Sequence, residues 1–328
     1  MPATDPSERL RSTMSLVLLA CLPGVLTLLW QHGWGMLFNL ALCAGSALAS
    51  EAISLKLQQR PILPSLNDGS ALVSACLLAA ALPAYAPWWV PVVACTSAIM
   101  LGKQLYGGVG RNPFNPAMLG YAVVLLTFPQ ALTQWPGTQP LDLTSSLHAV
   151  FGWGGAEQPD AWAQATVLDA LRNNRSLTVD ELFAGHPGFG HFGGKGSEWV
   201  NLAFLLGGLL LLQRKVFSWH APVGLLASLF VMSLLFWNGS GSDSNGSPLL
   251  HLLSGSTMLA AFFIATEPVS GPKSAQARLI FAIGVGALIY LIRTWGSYPD
   301  GTAFAVLLMN LCVPALERWA EHRQAVPS

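Results

Sequence analysis

The chain has 328 residues, of which 52% are hydrophobic and only 10% charged, and its 16 basic and 16 acidic residues balance. A soluble domain carries roughly 25% charged residues, so this composition, with a mean hydropathy of +0.50, belongs in a bilayer, and the zero net charge argues against a nucleic-acid partner. Cys21, Cys43, Cys76, Cys95 and Cys312 sit in apolar runs without C-x-x-C spacing, which gives no disulfide framework or metal site and leaves packing as their role.

The opening "MPATDPSERLRSTMSLVLLACLPGVL" is read as a first membrane span, because further apolar segments follow without a convincing cleavage site. Runs long enough to cross the hydrocarbon core are predicted at 15–31, 36–55, 70–86, 88–102, 117–133, 199–213, 220–237, 249–266, 277–293 and 301–317. The expected fold is therefore an all-α polytopic membrane protein with about ten transmembrane helices. Residues 1–133 form a first five-helix segment, 134–198 a long polar loop, and 199–328 a second five-helix segment.

Lys and Arg near helix ends set the orientation. With a cytoplasmic N-terminus, twelve of them fall on the cytoplasmic side and only Arg172, Arg175, Lys195 and Arg293 on the other. Both termini are thus expected in the cytoplasm and the polar loop outside, which in a bacterium is the periplasm.

The two segments also resemble each other. "NDGSALVSACLLAAALP" from Asn67 aligns with "LSGSTMLAAFFIATEP" from Leu253, pairing Gly69 with Gly255 and Ser70 with Ser256. "GRNPFNPAMLGYA" aligns with "GSYPDGTAFAVLL", pairing Gly110 with Gly296 and Pro113 with Pro299, all at an offset of 186 residues. Five spans per copy force the second to enter from the opposite side, giving an inverted repeat of the kind found in many transport folds.

In "YGGVGRNPFNPAMLGYA", Pro113 and Pro116 keep Asn112 and Asn115 out of the helical region, while Gly107, Gly108 and Gly110 permit positive φ. The segment reads either as a ligand or ion site or as a loop that starts a helix. Gly255 and Ser256 allow close approach of a helix or a flat ligand. Glu267 and Asp68 are expected at helix ends rather than in a conduction path, and Asn310 as a polar contact between helices.

Within the outer loop, "AGHPGFGHFGGKGSEW" fails as a phosphate loop because Lys195 is followed by Gly196 and the upstream glycine is missing. His186 and His191 lack a third metal ligand, so no metal site is expected. "TVDE" at Thr178–Glu181 is a capping box that predicts a short helix. "PDAWAQATVLDALRNN" predicts another over Ala165–Leu171, with Thr166 in its first turn. A hydroxyl is a poor nucleophile unless activated, and no base for it is visible in the sequence. No catalytic constellation is visible either.

"GGVGRNPFNPAMLGYA", "HLLSGSTMLAAFFIATEPVSGP" and "WVNLAFLLGGLLLLQRKVFSWHAP" together resemble the D subunits of Rnf (Rsx) electron-transport complexes and the related B subunits of sodium-pumping NADH:quinone reductases. The resemblance runs over nearly the whole chain. It implies a component of an ion-translocating ferredoxin:NAD oxidoreductase in the bacterial inner membrane, inactive alone, partnered by the A, B, C, E and G proteins of that complex, and coupling electron transfer to Na+ or H+ movement.

It also implies FMN held as a phosphoester on a threonine by a periplasmic flavin transferase, and a second, non-covalent riboflavin to which no residue is assigned. The family's attachment motif has Asp, three residues, then Ser/Thr-Gly-Ala-Thr, with the last threonine modified. "SGST", ending at Thr257, matches by its last letters but has His251 six positions before and lies in a predicted span. "DAWAQAT" places Asp160 six before Thr166, keeps Ala165, and departs at Ala163 and Gln164. The expected assignment is Thr166 for the flavin and Asp160 for transferase recognition. Trp135, Trp153, Trp162 and Trp199 are candidates to pack near it. The competing expectation is a flavin-free secondary transporter or channel built on the inverted repeat.

Overall fold

A computed structural model describes residues 6–137, 139–153, 163–174, 176–242, 244–298 and 300–325. The chain is a mainly helical membrane protein whose contacts divide it into two compact units. The first comprises Met1–Asn112, Pro116–Ala163 and Leu206–Val216, and the second Pro113–Asn115, Gln164–Leu205 and Phe217–Ser328.

In the first unit, α1 (Pro6–Leu57) is continuous in hydrogen bonding but breaks at Gly33, whose φ of 51° and ψ of −125° no helix allows. This is the gap that separates the first two predicted spans. Tyr85 straps the break, donating its hydroxyl to His32 O at 2.7 Å and accepting from Leu141 N at 2.9 Å.

Helices α2 (Ile62–Leu66), α3 (Ser70–Ala81), α4 (Trp89–Met100), α5 (Pro116–Thr127) and α6 (Pro129–Thr133) follow, then α7 (Leu143–Phe151). A Cβ on Gly120 of α5 would fall 2.3 Å from Ala94 O of α4, so this glycine sets how closely the two helices pack.

The predicted span 70–86 stops at Ala81, because Leu82 precedes Pro83 and adopts extended ψ of 150°. The span 117–133 is cut at Phe128, which precedes Pro129 and leaves the helical region in the same way.

The second unit contains α8 (Val167–Asn173), α9 (Val179–Gly185), the first part of α10 (Ser197–Gln213), α11 (His220–Leu235), α12 (Pro248–Leu253), α13 (Thr257–Leu259), α14 (Ala275–Trp295) and α15 (Thr302–Ala325). The predicted span 249–266 is two pieces here. Ser254 is extended and Gly255 takes a φ of 62°, so the backbone turns before α13, which then continues as a π-helical turn at Ala260–Ile264. Gly69, its predicted repeat-mate, also has positive φ, at 80°. Gly110 and Gly296 do not match: the first has φ 91°, whereas the second is extended with ψ 176°.

Ser7–Leu57, Ala275–Trp295 and Thr302–Arg323 are long and apolar enough to cross a membrane by length and composition, while α3, α5, α10 and α11 are apolar but shorter. A twelve-residue helix such as α3 rises about 18 Å, against a hydrocarbon thickness of about 30 Å.

Candidate functional site

Thr166 is the N-cap of α8, with φ −65° and ψ 156°. Its Oγ1 accepts a hydrogen bond from Asp169 N at 3.1 Å, satisfying one of the orphan amides of the first turn. The same hydroxyl donates to Asp169 Oδ2 at 3.0 Å. Asp169 Oδ1 is held by Arg172 Nη2 at 2.7 Å, and Arg172 Nη1 reaches Tyr298 O at 2.8 Å. The chain therefore does supply a carboxylate to the threonine hydroxyl, contrary to the expectation from sequence.

The helix carrying this arrangement is fixed by apolar burial. Val167, Leu168 and Leu171 pack with Leu182 of α9, Phe189 and Leu250 of α12 in one buried cluster. On the other side of the cap, Gln164 and Ala165 are exposed and Thr166 itself is half-buried. Asp160 and Trp162 lie outside the described residues.

Thr257 has the opposite environment. It is fully buried, its hydroxyl faces both His251 O at 2.8 Å and Ser254 O at 2.9 Å, and it accepts from Arg293 Nη1 at 3.1 Å. The hydroxyl is thus enclosed among these partners rather than presented at the surface.

Arg293 organises the interior next to it. Its side chain is buried and pairs with Asp300 Oδ1 at 3.1 Å, while Asp300 Oδ2 accepts from Ser256 N at 3.0 Å and Ser256 Oγ at 2.6 Å. Burial pushes the Asp300 carboxyl up, but the Arg293 guanidinium and hydrogen bonds from Ser256 and Thr302 outweigh it and hold the carboxyl below its ordinary value. A small cavity of about 90 Å³ adjoins this network, lined among others by Leu168, Arg172, His251, Arg293 and Thr294. His251 turns Nε2 to Asn245 O at 2.8 Å, and its Nδ1 has no hydrogen-bond partner among the described residues.

Comparison with known proteins agrees with the motifs. The profile of the NQR2, RnfD, RnfE family matches residues 1–325. The chain belongs to this family. A relative from Pseudomonas aeruginosa, named as the D subunit of an ion-translocating oxidoreductase complex, is 61% identical over 98% of this chain and 93% of its own length. Proteins given the same name from Cellvibrio japonicus and Citrobacter koseri are 45% and 44% identical, each over 98% of this chain and covering 92% and 96% of their own lengths.

For this member of the NQR2, RnfD, RnfE family, the sequence alone missed Asp169, Arg172 and the Arg293–Asp300 pair. The only available signal for the first was the T-x-x-D spacing from Thr166, which also reads as an ordinary cap. Trp199 on α10 is exposed, as is Trp153, and Trp135 donates its indole to Leu132 O at 2.8 Å; Trp135 and Trp153 belong to the first unit. Among the described residues no group of three or more His, Cys, Asp or Glu forms a metal site. His186 Nδ1 instead accepts from Gly188 N at 3.1 Å in a local turn. Glu267 caps the end of its segment, accepting from Ser270 N at 2.8 Å, and Asp68 accepts from Ser70 N at 2.7 Å. Asn310 accepts from Asn115 N at 3.1 Å and donates to Ser270 O at 3.0 Å, a polar contact between segments as its position in α15 predicts.

Proposed function

We propose that this chain is the D component of an Rnf-type ion-translocating oxidoreductase complex, carrying FMN as a phosphoester on Thr166. It serves as one electron relay in the bacterial inner membrane, works only with the A, B, C, E and G proteins of the complex, and is coupled to Na+ or H+ movement. The reading includes ten membrane spans in two inverted five-helix repeats, cytoplasmic termini, and a periplasmic loop on which a flavin transferase acts after recognising Asp160. A second, non-covalent riboflavin belongs to the same reading without assigned residues.

One observation carries the choice of attachment site: Thr166 is a half-buried residue beside exposed Gln164 and Ala165, whereas Thr257 is fully buried with its hydroxyl engaged by Arg293. The residues at Thr166 suit a flavin phosphate. It could be attached from the exposed side while α8 stays anchored through Val167, Leu168 and Leu171. When bound, the flavin would supply electron transfer one or two electrons at a time without dissociating.

The test is in-gel flavin fluorescence and intact mass of the denatured full chain, coexpressed with the transferase. Wild type and Thr257→Ala should carry one FMN, and Thr166→Ala and Asp160→Ala none. A dark wild-type band would remove the electron-relay reading and favour a flavin-free transporter or channel. A bright Thr166→Ala with a dark Thr257→Ala would move the site.

A further inference from the structure

Two threonines in the second unit cap seven-residue helices with an acidic residue three positions on, and their hydrogen bonding differs. At Thr178, Glu181 Oε2 accepts from the threonine backbone N at 2.7 Å and from its hydroxyl at 2.9 Å, a reciprocal capping box. At Thr166, Asp169 Oδ2 accepts from the hydroxyl at 3.0 Å, and among the described residues Asp169 forms no bond to Thr166 N. The shorter side chain of aspartate has its second oxygen occupied instead by Arg172 at 2.7 Å. Asp169 is buried, unlike Glu181.

The geometry points to Asp169 as the base that takes the Thr166 hydroxyl proton during flavin attachment, with Arg172 as the residue that positions it. This inference rests on the assignment of flavin attachment to Thr166. A threonine hydroxyl attacks phosphorus slowly unless its proton is removed as the new bond forms. Thr166 already directs its O–H at a carboxylate oxygen within hydrogen-bond reach. The Arg172 guanidinium, itself anchored on Tyr298 O, fixes the orientation of that carboxylate by its bond to Oδ1 at 2.7 Å.

The step balances as a phosphoryl transfer. Thr166 Oγ bonds to the flavin-bearing phosphorus of a flavin phosphoanhydride presented by the transferase. The anhydride P–O bond breaks, and the departing phosphate leaves with the electron pair. The hydroxyl proton passes to Asp169 Oδ2 and then to water, and nothing is oxidised or reduced. Thr178 also directs its hydroxyl at a carboxylate, but that Glu181 oxygen is shared with the Thr178 backbone amide and Glu181 is exposed, whereas Asp169 is buried and held by Arg172.

The experiment measures the initial rate of flavin attachment to the purified full-length protein in detergent, with added transferase and donor, by in-gel fluorescence and intact mass. Asp169→Asn preserves the size of the side chain and the Asp169 backbone amide that the cap uses. It is expected to slow attachment about 100-fold, the lower end of a general base contribution. Asp169→Glu is expected to recover part of the rate, because it restores a carboxylate one methylene further out. Glu181→Gln is expected to label at the wild-type rate.

Labelling of Asp169→Asn within twofold of wild type would overturn the assignment of the base while leaving Thr166 as the attachment site. An unlabelled wild type, or labelling that survives Thr166→Ala, would overturn both readings. Melting curves identify a variant that fails to fold. In that case Asp169→Ser, which keeps a short polar group and the cap amide, gives the same comparison.

Discussion

Buried Arg293 pairs with half-buried Asp300 at 3.1 Å, and together they hold the break between α12 and α13. The arginine donates to His251 O at 2.9 Å, and the aspartate accepts from both the backbone and the hydroxyl of Ser256. Removing one partner leaves the other charge buried, which costs about 3–5 kcal/mol. Asp300→Asn should therefore lower the melting temperature of the detergent-solubilised protein strongly. The Arg293→Met/Asp300→Asn double variant should lose less than the sum of the single losses. Additive losses would show that the two groups act independently.

The same pair makes stability depend on pH. The folded Asp300 carboxyl lies below its ordinary value because Arg293 and the hydrogen bonds from Ser256 and Thr302 outweigh its burial. A depressed folded value contributes stability above the ordinary carboxylate pKa of about 3.9, and this contribution is lost as pH falls from there through the folded value. Melting temperature should fall on acidification below about pH 4, and Asp300→Asn should flatten that part of the curve. A parallel curve for the variant would assign the acid sensitivity to other carboxylates.

A second buried pair stands in the first unit. Lys103 contacts Glu51 and donates to Ser70 Oγ at 2.7 Å, while Gln104 donates to Glu51 Oε1 at 3.0 Å. Both charged side chains are almost wholly buried. Glu51→Gln leaves an ammonium without its counter-charge and should destabilise by about 3–5 kcal/mol, whereas replacing the pair together with apolar residues of similar volume should cost much less. Thermal unfolding of the single variants and of Glu51→Leu/Lys103→Met checks this. A double variant as unstable as the singles would mean that the hydrogen bonds to Ser70 and Gln104, rather than the charges, matter most.

Features that depend on neighbours in sequence are legible without the structure. The Thr178–Glu181 cap follows from four consecutive residues, and the break in α1 falls where a gap separates the first two apolar runs. The positive φ of Gly107, Gly108 and Gly110 follows from residue type. Apolar length alone overstates the helices, because Leu82 and Phe128 each precede a proline and leave the helical region. The charge count assigns Arg293, at the end of the predicted span 277–293, to the side opposite the cytoplasm, yet its partners His251 and Thr257 lie 42 and 36 positions away. No local pattern announces such a bond. Asp169 is hidden differently: the T-x-x-D spacing is visible, but only the observed hydrogen bonds distinguish a hydroxyl partner from a backbone cap.

The two capping threonines separate stability from chemistry. Each satisfies one amide at the start of a seven-residue helix, so Thr166→Ala and Thr178→Ala should each cost about 1 kcal/mol, read by thermal unfolding or by limited proteolysis of the loop between α7 and α10. If flavin loading requires the Thr166 hydroxyl itself, only the first substitution abolishes it. Thr178→Ala should retain full fluorescence at equal protein despite an equal loss of stability. Comparable loss of flavin from both variants would make loading a consequence of how well the loop folds, because the Thr178 hydroxyl is committed to Glu181 and has no other part in the arrangement around Asp169.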